Sequence, residues 1–232
     1  VRQQVAGGPV YAGSVAPFLT SDLALARRLE AAEAANAFAM AKGSSSCAES
    51  ILGGCALFAG ACSPMTHALG TGMDPASEAE FDRLEHFFHS RGSACLIDLC
   101  PLAHATVIEQ ITRRGYKVVE FNNLMLRRAE EDAAPGPQGI HITPCSPDRR
   151  AAWGHLVLSG FADGAPVTPA MLSLLDAMAP AHFELFADCD GRPGAGAAMS
   201  IRNGVGLLFG DATLPEARGH GLQQALIRHR VH

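Results

Sequence analysis

Two dipeptides, Asp190-Gly191 and Asn203-Gly204, constrain this chain more than any other feature in it. A two-residue hairpin turn of type I′ needs positive φ at both central positions, and Asn-Gly supplies it at low steric cost. The segments around these dipeptides are short and largely apolar: His182 to Ala187, Gly196 to Ile201 and Val205 to Thr213. They read as three strands of an antiparallel meander. The third strand runs into Pro215-Glu216-Ala217-Arg218-Gly219-His220-Gly221, and then into a helix over Leu222 to Val231.

That junction has a chemical consequence. The first N–H groups of a helix lack intrahelical acceptors, and the helix dipole adds partial positive charge there. Glycines let the backbone close around a bulky anion, so the junction is suited to phosphate. Arg218 adds a full charge with planar donors. A dinucleotide fold is excluded, because it needs Gly-x-Gly-x-x-Gly after the first strand of a βαβ unit, with an acid about 20 residues on.

The string from Ala212 to Leu226 resembles the acetyl-CoA signature of the GNAT superfamily of N-acetyltransferases, Arg/Gln-x-x-Gly-x-Gly/Ala, preceded by a strand and a proline. Arg218 and Gly221 match, whereas Gln223 stands where the family has Gly or Ala. The resemblance covers about residues 140–232. It implies an acyltransferase fold of the α/β class with a mixed sheet, and acetyl-CoA as donor co-substrate, without a metal. The backbone of Ala212, Thr213 and Leu214 would hold the pantetheine, and Arg218, Gly219, His220, Gly221, Leu222 and Gln223 the pyrophosphate. The implied reaction is attack of an amine on the acetyl thioester, which calls for a base, an acid and a donor to the carbonyl. Asp211, near the end of the central strand, and Glu184, on a neighbouring strand, are the candidate catalytic carboxylates. The family's late tyrosine has no counterpart, since Tyr11 and Tyr116 lie far from the motif. The strand and helix that the family places after Val231 are missing, so this unit reads as truncated.

Upstream, helices are expected at Ser21 to Phe38, Ala76 to Ser90 and Leu102 to Arg114, with a loop at Gly43 to Ser46. Strands are expected at Ile51 to Ala59, Thr66 to Gly70, Ala94 to Leu99 and Tyr116 to Leu126. The run from Ala129 to Gly139, rich in Ala, Pro, Gly and acids, reads as a linker between units 1–128 and 140–232. Beyond it come a short strand at Ile140 to Thr143 and helices at Asp148 to Leu158 and Pro169 to Met178, with Trp153 packing on the meander. The order of elements in the first unit is similar to the later half of the same family fold, and Arg114-Gly115-Tyr116 is similar to a turn found late in it. Before its Ala76 helix stands Gly70-Thr71-Gly72-Met73-Asp74, with no arginine to meet phosphate. The first unit is therefore expected not to bind CoA and to shape the acceptor pocket or a homodimer face.

Composition narrows the remaining classes. Apolar residues make up 48% of 232 residues, enough for real cores, and the formal net charge is -5. The basic residues gather no further than pairs such as Arg113-Arg114 and Arg127-Arg128, too sparse for a nucleic-acid footprint. No apolar run is long enough to span a membrane. Seven cysteines without Cys-x-x-Cys point to a reducing, cytoplasmic setting. His86 and His89, and Cys100 with His104 beside Asp98, read as ordinary helix-face and strand-end residues rather than metal or nucleophile sites. Three functions stay open: acetyl transfer to a small amine, a non-catalytic CoA-binding or regulatory module, and an interaction protein with a vestigial fold.

Overall fold

The computed structural model describes residues 22–41, 46–129, 137–177 and 181–231. The first sheet holds β1 (Cys47–Ile51), β2 (Gly54–Phe58), β3 (His67–Thr71) and β4 (Ile97–Leu99), side by side in that order. The first three are antiparallel, and β4 lies parallel to β3. The alternation of strand side chains sorts the two faces. Ala56 and Ala68 turn toward α2 (Glu78–His89), whose Phe81, Leu84, Phe87 and Phe88 recur at helical spacing and are buried. Val107 of α3 (Ala105–Arg113) joins that cluster. Cys55 and Leu57 turn the other way, onto Ala34, Ala37 and Met40 of α1 (Leu23–Met40). The N-terminus of α1 is capped by Asp22, whose Oδ1 accepts from Leu25 N–H at 2.7 Å. Small side chains let α1 lie close to the sheet: a Cβ on Gly70 would come within 2.1 Å of the Glu30 carbonyl oxygen.

The second sheet is antiparallel throughout, in the order β5 (His141–Pro144), β6 (Phe183–Asp188), β7 (Pro193–Arg202) and β8 (Val205–Thr213). A 3-10 turn at Pro147–Arg149 leads into α4 (Arg150–Ala162). Trp153, Leu156 and Val157 of α4 pack on Phe186, Ala198 and Ala212 of the sheet, and Trp153 Nε1 donates to the Leu185 carbonyl at 3.1 Å. Next to α4 lies α5 (Pro169–Ala177), close enough that a Cβ on Gly154 would meet Leu175 Cδ1 at 2.2 Å. The opposite face is covered by α6 (Leu222–Arg230), with Leu222 and Leu226 buried against Leu185, Ala187, Ala195 and Ala197.

The two sheets meet at α1. Phe209 of β8 packs against the same cluster that α1 forms with the first sheet. Arg28 donates to the Gly204 carbonyl at 2.7 Å, on the β7–β8 hairpin.

Several expectations are corrected. The stretch read as one strand from Ile51 to Ala59 is the turn and second arm of a hairpin. Its turn is Leu52-Gly53, with φ of 54° and 75°. Asn203-Gly204 has the same geometry, with φ of 51° and 70°; a leucine in that conformation carries no sequence signal. β4 is a three-residue edge strand, shorter than the expected Ala94 to Leu99. Residues 116–126 form no strand: Val119, Phe121 and Met125 are 81%, 89% and 93% exposed. Their composition suits a strand, but β-propensity is expressed only against a neighbour, and none pairs with them among the described residues. The Gly43 to Ser45 loop and residues 130–136 of the linker lie outside the described residues.

Candidate functional site

The candidate site is built where β8 gives way to α6. β8 ends the second sheet, so one of its edges has no strand beside it among the described residues. Gly196 faces Ala212 and Ala198 faces Phe209, so β8 carries one residue more than β7 between these pairs. The bulge falls at Gly210-Asp211, and Gly210 takes φ 64°, which glycine adopts without strain. A bulge breaks the ladder locally and frees a backbone group from it.

After Thr213 the chain turns through a 3-10 segment, Pro215–Ala217, and passes Gly219 and Gly221, with φ of 81° and 82°. Gly221 is the N-cap of α6 and offers no capping side chain. The Ala225 N–H bonds to the Gly221 carbonyl at 3.0 Å. The N–H groups of Leu222, Gln223 and Gln224 therefore have no acceptor within the helix. α2, the helix that follows β3 of the first sheet, begins differently. Ser77 and Glu80 form a reciprocal capping box, with Glu80 Oε2 2.9 Å from Ser77 N. The backbone bond from Ser77 holds the Glu80 carboxyl below its usual range. That helix start already carries its own anion, with Glu78 beside it.

Arg218 is anchored. Its Nη1 meets Asp163 Oδ1 at 2.6 Å, and Nε and Nη2 donate to the carbonyls of Thr213 and Gly160 at 3.3 and 3.4 Å. The Asp163 pair is exposed on both sides and contributes little stability by itself; it fixes where the loop lies against the C-terminus of α4. His220 is exposed, with Nδ1 3.3 Å from the Ala217 carbonyl. Ala212 is buried under α4, and the Leu214 N–H holds the Gly194 carbonyl at 2.9 Å. A groove of about 690 Å³ opens beside the loop, lined by Thr213, Arg218, Gly219, Gly221, Leu222 and Gln223. The remaining lining was not read from the sequence: Ala217 in the turn, Gln224, Ile227 and Arg228 along α6, and Arg127 from the first half. Its one visible sign was the Arg127-Arg128 pair just ahead of the linker.

The candidate carboxylates are both engaged. Asp211 accepts from Gln223 Nε2 at 2.8 Å and from two nitrogens of Arg230, one of them at 3.0 Å. Arg230 is 1% exposed and also donates to the carbonyls of Leu226 and Ala198, the latter at the bulge. Both carboxylate oxygens of Asp211 are thus held by side chains of α6. Its evident work is to lock α6 to β8. Gln223, at the position where the signature departs from Gly or Ala, contributes its side chain to the same lock. Glu184 pairs with Arg150 Nε at 3.2 Å and accepts from the Ala181 N–H at 3.4 Å. Tyr116 belongs to the first half, where its hydroxyl bonds Glu85 and Cys95.

In the first half, His104 Nδ1 caps α3 by accepting from the Thr106 N–H at 3.2 Å. Asp98 lies 3.5 Å from His67. Cys100 interacts with Glu30 of α1 rather than with a histidine base. His86 and His89 close the last turn of α2, where cations suit the helix dipole. No three His, Cys, Asp or Glu side chains converge to hold a metal among the described residues. No helix among them is long and apolar enough to cross a membrane.

No protein-family model matches this chain. No curated protein matches it either. Its structure is similar to that of a GCN5-related N-acetyltransferase from Kribbella flavida, with a TM-score of 0.64 and 17% identity over 89% of this chain and 79% of that one. At that identity the likeness is one of architecture. This chain has a fold like that of a GCN5-related N-acetyltransferase.

Proposed function

We propose that this chain binds acetyl-CoA at the start of α6 and transfers its acetyl group to the amine of a small molecule. The observation that carries the reading is the uncapped N-terminus of α6, reached through Gly219 and Gly221 at the end of a bulged edge strand. The orphan N–H groups and the helix dipole would hold the pyrophosphate. The open edge of β8 suits the pantetheine, whose amides can pair with a strand edge as a peptide does. A backbone N–H freed at the Gly210-Asp211 bulge would polarise the thioester carbonyl. The amine nitrogen then attacks that carbon, the C–S bond breaks, and the proton the nitrogen gives up passes through solvent to the departing thiolate. Asp211 holds α6 in place in this scheme and Glu184 holds the start of α4, so neither is the base. The first half takes no donor, because α2 is capped by its own glutamate.

The engagement of both carboxylates favours a second reading, a module that binds CoA without turning it over. Calorimetric titration with acetyl-CoA tests what the two share, and absence of heat at millimolar ligand would sink both. Release of free thiol in the presence of a panel of small amines separates them. Release supports transfer, and saturable binding without release supports the module.

A further inference from the structure

The groove beside α6 is more basic than pyrophosphate binding by the helix start requires. Three guanidinium groups line it, from three parts of the chain: Arg218 in the loop, Arg228 on α6 and Arg127 in the segment that ends the first half. They line one groove in a protein whose formal net charge is -5, a local concentration of cationic side chains. The pyrophosphate reading uses the loop amides and Arg218. It leaves Arg127 and Arg228 without a role.

Helix geometry places that surplus. Arg228 lies six residues beyond Leu222, about 9 Å along the axis at 1.5 Å per residue. Gln224 and Ile227 line the groove with it, and Ile227 is 40% exposed, an apolar surface beside the cations. A ligand anchored at the helix start and running along this face would pass its next anion to Arg228 and Arg127. In CoA the 5′-oxygen of the ribose carries the pyrophosphate and the 3′-oxygen carries a further phosphate, with an apolar adenine beside them. Arginine forks suit such a dianion better than ammonium groups do, because two N–H donors can meet two phosphate oxygens.

We propose that Arg127, with Arg228, binds the 3′-phosphate of the CoA donor, so that both halves of the chain complete the donor groove and select CoA over 3′-dephospho-CoA. This inference rests on the donor-binding reading above. It gives the first half a part in donor recognition although its own helix start is closed.

The test is calorimetric titration of the full chain with acetyl-CoA and with acetyl-3′-dephospho-CoA. The wild type is expected to favour acetyl-CoA by at least about tenfold, the size of one hydrogen bond to a charged group. Arg127→Ala, at an exposed position, should weaken acetyl-CoA by about that factor, leave the dephospho form unchanged and so erase the preference. Arg218→Ala should weaken both ligands alike. A preference that survives in Arg127→Ala overturns the assignment. Equal affinity of the wild type for both ligands overturns it as well and leaves donor binding standing. If neither ligand binds, the donor reading fails and the inference fails with it.

Discussion

Asp211 and Arg230 stand 19 residues apart and depend on one another. The guanidinium is almost wholly buried, so removing its partner strands a charge in the interior. Asp211→Ala should destabilise the protein by about 3–5 kcal/mol, read as a lowered urea midpoint. Were Asp211 the base as well, Asp211→Asn would abolish turnover in the protein that still folds. A second group depends on its surroundings in a different way. Burial, then Glu33 and Asp98, push the Glu30 carboxyl from 4.5 up to about 7, while Cys100 pulls it back. Glu33 is raised by burial and Asp98, with His67 opposing. A raised folded-state value means that the folded protein holds the proton more tightly than the unfolded chain. That stability is fully present below about 4.5 and is lost as pH rises through about 7. Urea unfolding from pH 4.5 to 8 should show this decline, and Glu30→Gln should flatten it. Neither partnership was legible in sequence: Arg230 and Glu30 are polar residues on helices, and only the fold reveals what they face.

The two comparable helix starts make opposite use of the same backbone. α2 is closed by Ser77 and Glu80, and α6 is left open by Gly221. Ser77→Ala should cost about 1 kcal/mol of stability and leave acetyl-CoA binding unchanged. Gly221→Ala forces an L-residue to φ 82° and should cost about 1–2 kcal/mol while also weakening acetyl-CoA; thermal melts and titrations of both variants check the contrast. Elements of this kind were the most legible part of the chain. Asn203-Gly204 declared its hairpin, and Pro215 to Gly221 declared its strand-to-helix junction, because the backbone demands those residues there. Leu52-Gly53 makes the same turn as Asn203-Gly204 without the asparagine, and so it passed for strand. Residues 116–126 have strand composition and no neighbour to pair with. Arg127 escaped notice because a groove between distant segments leaves no local spacing to read.

At the scale of the whole molecule, composition suggests a linker at residues 129–139, but the way the two sheets meet was not legible in it. α1 consists largely of alanine and charged residues, which mark a helix and say nothing of what it touches. In the structure it lies on the first sheet through Ala34, Ala37 and Met40, while Phe209 of β8 packs on the same cluster and the Gly204 carbonyl of the β7–β8 hairpin accepts from its Arg28. The covalent link is therefore not what keeps the halves together. It acts as a tether that raises their effective concentration, while recognition resides in the surface of a helix. Expressed as separate chains, residues 1–129 and 137–232 should find each other and co-purify as a split protein. Phe209→Asp should leave two fragments that elute apart, because it puts a charge against the apolar cluster of Ala34, Ala37 and Met40.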